Sequence, residues 1–146
     1  MFICILRSSV IVFFLLFLSS FVVGQNLDRH RWENRVLLVF ADDKSDEKML
    51  KQNAILSKEK QGLTERKSKI YQFAKDKYAT GFNAAWQIST IDKRKYLNKN
   101  DDFKVVLIGL DGGIKLKRTE ILSTEKLFAI IDGMPMRRAE IKNRNK

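Results

Sequence analysis

One stretch of this chain limits its folding choices more than any other. Val105-Val-Leu-Ile-Gly-Leu-Asp-Gly-Gly-Ile-Lys-Leu-Lys117 opens as a continuous apolar run, breaks at Asp111-Gly112-Gly113, and resumes with apolar and charged residues in alternation. A continuous β-branched run marks a strand covered on both faces, and alternation marks a half-exposed one. The glycines between them accept the positive φ that a tight hairpin requires, and both Gly112 and Gly113 are expected to adopt such turn conformations. Ser123 then offers an N-cap for a helix whose Leu127, Phe128, Ile130 and Ile131 face the sheet. Gly133 closes that helix and Pro135 restarts the chain. A hairpin followed by a helix caps one edge of a small α/β sheet.

Upstream, Arg35-Val-Leu-Leu-Val-Phe-Ala41 is a second buried-type strand. Ser45 is the expected N-cap of a helix, with Asp46 and Glu47 in its first turn where the helix dipole favours negative charge. Met49, Asn53 and Leu56 fall at helical spacing, and Gly62 is the expected stop. Residues 69–74 alternate as a further strand, giving a βαβ unit with parallel strands. Residues 75–88 show no clean period and read as loop, and Ser89-Thr90 is placed to cap a helix through Leu97. The predicted order is β-α-β-α-β-β-α with only the last hairpin antiparallel. That is a thioredoxin-like, three-layer α/β domain with a mixed four-stranded sheet.

The C-terminal third also resembles a known family. Gly109-x-Asp111-Gly112-Gly113-x-Lys115-Leu116, followed by Ile131-Asp132-x-Met134-Pro135-Met136-Arg137, is similar to the signature of the P-DUDES domain. The similarity runs from about Arg35 to Ile141 and is tight only at its C-terminal end. It implies a thioredoxin-like fold and association with the extracellular matrix, heparan sulfate and cell adhesion. The signature residues are expected to be structural, with Met134 and Met136 packing the end of the long helix and Pro135 fixing its exit.

The N-terminus reads as a secretory leader over residues 1–24. Arg7 supplies its positive charge, Val10 to Leu18 its apolar core, and Val22-Val23-Gly24 the approach to a cleavage point. The apolar stretch from Ser8 to Val23 falls short of the ~20 residues a membrane-spanning helix needs, so cleavage with no stable membrane insertion is expected. A lead-in over 25–34, the domain over 35–141 and a basic tail over 142–146 complete the expected organisation. Cys4, the only cysteine, lies in the leader, so the exported domain rests on its hydrophobic core with no disulfide. No Asn-x-Ser/Thr sequon occurs.

Catalytic groups are scarce. A redox thioredoxin needs a thiol just after the first strand, at a helix N-terminus. The chain has Ala41-Asp-Asp-Lys-Ser-Asp-Glu47 there, and no proline precedes the later strands. Redox catalysis is therefore set aside. Asp42, Asp43, Asp46 and Glu47 lack the spacing of a calcium loop and are interleaved with Lys44 and Lys48. His30 is the single histidine, which rules out a triad or a zinc site assembled from histidines. No metal and no cofactor are expected.

Charge points elsewhere. Lys and Arg number 28 against 17 Asp and Glu, a net charge of +11. A secreted chain with such a surplus meets sulfated glycosaminoglycans or acidic matrix and cell-surface proteins, not nucleic acid. Three basic groups stand out: Lys93-Arg94-Lys95, Lys115-x-Lys117-Arg118, and Arg137-Arg138 with Lys142, Arg144 and Lys146. The predicted polyanion contacts are Lys115, Lys117, Arg118, Arg137 and Arg138, arginine being suited to paired bonds with sulfate oxygens. Two other readings stay open: a protein–protein adaptor whose basic surface is incidental, and an enzyme with a carboxylate site around Asp42, Asp43 and Asp46.

Overall fold

Seven consecutive residues of β1 (Arg35–Ala41) are buried, as an uninterrupted apolar strand requires when both faces are covered. This computed structural model describes residues 26–145. The expected leader and cleavage point, and Cys4, lie outside them. β1 is the centre of a six-stranded sheet in the order β4-β3-β2-β1-β5-β6. β2 (Ser68–Ala74) runs parallel to it, and β5 (Phe103–Ile108) runs antiparallel on its other side. β6 (Ile114–Arg118) pairs antiparallel with β5 through the expected hairpin. These four strands form the predicted mixed core.

The two further strands correct the four-stranded expectation. β3 (Lys77–Thr80) and β4 (Gln87–Ile88) extend the β2 edge inside the stretch read as loop. Both are short, and β4 is exposed, a common way to blunt a sheet edge. They also explain why β5 is antiparallel to β1, against expectation. The β3–β4 hairpin returns the chain to the end of the sheet where β2 finished, and a parallel β5 would then need a long crossover. No helix grows from Ser89-Thr90. Only a short 3₁₀ turn, Lys93–Lys95, forms there, and its cap is Asp92.

One face of the sheet carries the helices. α1 (Glu47–Ser57) inserts Met49 and Leu56, α2 (Lys60–Glu65) inserts Leu63, and α3 (Thr124–Asp132) inserts Leu127 and Ile131. They close over Leu37, Val39, Ile70, Val105 and Leu107. Asp46, not Ser45, caps α1 by accepting from Met49 N–H at 3.0 Å, because Ser45 is occupied in bonding Asp43. Gly62 does not stop a helix but sits inside α2. A Cβ there would lie 2.7 Å from the Phe128 ring, so glycine makes room for α3. Ser123 caps α3 as expected.

The opposite face has an aromatic core in place of a helical layer. Phe40 stacks on Phe73 at 4.8 Å and on Tyr96 at 5.9 Å. The 3₁₀ turn Leu27–His30 and the segment around Ile91 and Leu97 cover it. The lead-in is thus part of the domain: His30 is buried and Trp32 N–H donates to Leu110 O at 2.6 Å. The tail is likewise structured, since α4 (Pro135–Arg144) includes Lys142 and Arg144. Among the described residues no helix is long and apolar enough to cross a membrane.

Candidate functional site

The two halves of the signature, one in the β5–β6 hairpin and one at the α3–α4 corner, converge at a single end of the sheet. In the hairpin, Gly109 N–H donates to Gly113 O at 2.9 Å and Gly112 N–H to Gly109 O at 3.0 Å. Asp111 Oδ1 accepts from Gly113 N–H at 3.0 Å, and its Oδ2 accepts from Lys115 Nζ at 2.6 Å. The Lys115 bond first, and then the Gly113 amide, hold the Asp111 carboxyl below the ordinary carboxylate range. A Cβ on Gly109 would lie 2.5 Å from Lys115 Cε, so glycine is what lets Lys115 fold back over the turn. Gly112 has a left-handed backbone with φ +79°, whereas Gly113 does not, correcting the expectation for both.

At the corner, Met134 occupies the N-cap position of α4 and Pro135 its first turn, where the missing N–H costs nothing. Met134 packs against the helix-side core, but Met136 is 41% exposed and does not pack as expected. The turn sends Arg137 inward. Arg137 is only 5% exposed and donates to Asp132 Oδ1, Glu140 Oε2 and the Glu65 carbonyl at 3.2, 3.1 and 3.0 Å. It is withdrawn from the predicted polyanion contacts, because its guanidinium is spent inside the protein.

Arg137 belongs to a network that the sequence pattern does not show. Arg66 forks onto Asp132 with bonds of 3.0 and 2.6 Å while its guanidinium lies 4.0 Å over the Phe128 ring. Arg35, fully buried, donates twice to Glu140 and once to the Arg66 carbonyl. Burial pushes the Asp132 and Glu140 carboxyls up. Bonds from Arg66 and Arg137 to Asp132, and from Arg137 and Arg35 to Glu140, outweigh it and hold both low. The spacing of Arg137 and Glu140, three apart on a helix, was the available signal. Nothing in the sequence links either one to Arg35.

A cavity of about 210 Å³ opens between the hairpin and the corner, lined by Arg35, Gly109, Leu110, Asp111, Lys115, Met134, Pro135 and Met136. Six of these residues belong to the signature. The cavity lies at the Arg35 end of β1, opposite the Ala41-to-Glu47 end where redox proteins of this fold would hold a thiol.

Two of the three basic groups meet elsewhere on the surface. Lys117 Nζ donates to the Lys95 carbonyl at 3.1 Å, which joins β6 to the Lys93–Lys95 turn. Lys95 and Lys117 are exposed. Burial lowers the affinity of Lys93 for its proton, opposed by Asp76 and Asp42. Arg94 is exposed and paired with Asp92. Alternation along β6 puts Arg118 on the side of Leu116, which packs on the helix-side core, and Arg118 bonds Glu120 at 3.0 Å. Arg138 is exposed on α4. The geometry therefore sets Lys117 beside the Lys93–Lys95 turn, leaves Lys115 tied to Asp111, and sets Arg118 and Arg138 apart from both.

Residues 26–140 match the model of a family described as a domain of unknown function, DUF4174. No curated protein matches the chain. A solved structure gives the fold. The reduced 2-Cys peroxiredoxin of Plasmodium vivax superposes with a TM-score of 0.57 at 17% identity, over 78% of this chain and 72% of that one. The mitochondrial 2-Cys peroxiredoxin of Plasmodium falciparum gives a TM-score of 0.49 at 10% identity, over 82% and 84% of the two chains. With 115 consecutive positions inside the family model and this sheet order, the chain belongs to the DUF4174 family and has a thioredoxin-like fold.

Proposed function

We propose that this protein is a secreted, P-DUDES-type binding module that recognises sulfated polysaccharide at the cell surface or in the matrix and carries out no thiol chemistry. The observation that carries the reading is the hydrogen bond from Lys117 Nζ to the Lys95 backbone carbonyl, which brings two basic sequence runs side by side. A surface of clustered ammonium groups attracts a polyanion by releasing condensed counterions, so binding weakens steeply with salt. The leader over residues 1–24 supports export, and the net charge of +11 supports an anionic partner. The position that bears a reactive thiol in redox proteins of this fold holds Asp42 to Ser45. Asp43 there accepts from Ser45 N–H and Oγ at 2.9 and 2.6 Å, a turn-stabilising role.

Elution from heparin, compared with elution from a sulfonate cation exchanger, tests this reading. Later elution from heparin, in salt, supports a shaped polyanion site. Elution from both at the same salt reduces the basic surface to net charge and contradicts it.

A further inference from the structure

The cavity beside the signature residues has a chemistry that a sulfated polysaccharide does not use, and it is independent of the Lys95–Lys117 surface. Its walls are Leu110, Met134, Pro135 and Met136, an apolar set in which the two unbranched thioethers adapt to the shape of an occupant. An apolar cavity of about 150 Å³ takes benzene, so one of about 210 Å³ admits a molecule of about nine heavy atoms.

Arg35 lines the cavity and belongs to a network whose charge is unbalanced. Arg35, Arg66 and Arg137 share only Asp132 and Glu140, so three guanidinium groups face two carboxylates and one positive charge is left over. Lys67 acts on Glu140 from an exposed position where solvent screens it, so the buried surplus stays at one. At the rim, Lys115 and Asp111 cancel each other. Arg35 is fully buried, and its Nε–H has no hydrogen-bond partner. A buried donor without an acceptor costs about 1–3 kcal/mol, and a buried charge is ordinarily matched. One anion in the cavity, beside Arg35, supplies the matching charge. A dianion would overshoot the single surplus, and a sugar would leave its hydroxyls unpaired against the methionine walls.

We propose that this cavity binds a small monocarboxylate with an apolar body, its carboxylate directed at Arg35 and its body held by Leu110, Met134, Pro135 and Met136. Trp32 fits such a site. Its backbone is left-handed at φ +69°, it is 60% exposed, and it is bonded to the Leu110 carbonyl in the cavity wall. Backbone strain of this kind in a bulky residue persists where surrounding structure enforces it, and it is concentrated at ligand sites.

Benzoate, with benzamide as its neutral isostere, is the probe, titrated into isotopically labelled protein purified from expression of the full chain and followed by amide and arginine Nε resonances. Saturable shifts confined to Gly109, Leu110, Met134, Met136 and the Arg35 Nε are expected. Benzamide should bind at least about tenfold more weakly, the minimum for losing a bond to a charged group. Met136→Glu, which sets a carboxylate at the mouth, should weaken benzoate by about tenfold or more at unchanged thermal midpoint. Met136→Trp, uncharged, should do the same by filling the space, and it serves if the glutamate variant does not fold. Absence of a saturable shift, equal affinity for benzamide, shifts scattered over surface lysines, or full binding by the folded variants would each overturn the proposal.

Discussion

Arg35, the first residue of β1, and Glu140, on the last helix, stand 105 positions apart and share two hydrogen bonds of 3.3 and 3.4 Å. Arg35 is fully buried and Glu140 is 21% exposed, so the pair ties the centre of the sheet to the α4 corner across a mostly dry interface. Removing one partner of a buried pair strands the other, at about 3–5 kcal/mol. Solvent reaches Glu140, so Glu140→Leu is expected to cost less, about 2 kcal/mol, with Arg35 and Arg137 both losing an acceptor. Chemical denaturation of the variant and the wild-type protein measures it. A change within about 0.5 kcal/mol, the range of an ordinary surface substitution, would show that the network is not structural.

His30 is the only histidine of the chain, so its titration is read without ambiguity. It contacts the Tyr71 hydroxyl at 2.7 Å and Asn34 Nδ2 at 3.3 Å on the aromatic face of the sheet. Burial first, and then the charges of Arg29 and Lys69, push its pKa below the usual 6.5. Between the folded and unfolded values the unfolded chain binds more protons, so stability rises with pH across that window. The contribution is complete above the unfolded value and is lost as pH falls through the folded one. The imidazole midpoint by NMR should lie below that of a free histidine, and the thermal midpoint should fall between about pH 7 and pH 5. A raised imidazole midpoint would contradict the burial assigned to His30.

The hairpin separates its two glycines. Gly112 has φ +79°, a conformation that L side chains rarely adopt, and Gly113 has no such constraint. Gly112→Ala should therefore cost on the order of 1–3 kcal/mol through backbone strain. Gly113→Ala should cost less, since its added Cβ comes nearest to Asp111 Oδ1 at 3.3 Å, with Asp111 Oδ2 and Lys115 Nζ at an ordinary 3.5 Å. Thermal midpoints of the two variants rank them, and the reverse order would mean that the turn is built differently.

What the sequence revealed divides by physical cause. Arg35–Ala41 and Phe103–Ile108 were legible because a strand buried on both faces leaves an uninterrupted apolar run. Ser123 and Gly112 were legible because caps and left-handed turns demand particular residues. β3 and β4 were not, since Lys77–Thr80 and Gln87–Ile88 are too short and too polar at an edge to show a period. Gly62 was misread as a stop because its reason, the Phe128 ring, comes from α3, far away in sequence. Arg137 was misread as a surface cation for a related reason. Its partners Asp132 and Glu140 are local, but the burial that makes them decisive comes from Arg35 and Glu65.

If Lys95 and Lys117 act as one polyanion surface, paired charge reversals separate their contacts from net charge. Lys95→Glu with Lys117→Glu changes the net charge by the same amount as Lys51→Glu with Lys58→Glu, two exposed lysines near α1. Each lost contact with a polyanion lowers the salt dependence of binding by about one counterion, whereas a lost distant charge acts only through the screened field. The Lys95/Lys117 variant is predicted to elute from heparin at clearly lower salt than the Lys51/Lys58 variant, while both elute alike from a sulfonate exchanger. Identical shifts of the two variants on heparin would mean that Lys95 and Lys117 form no polyanion site.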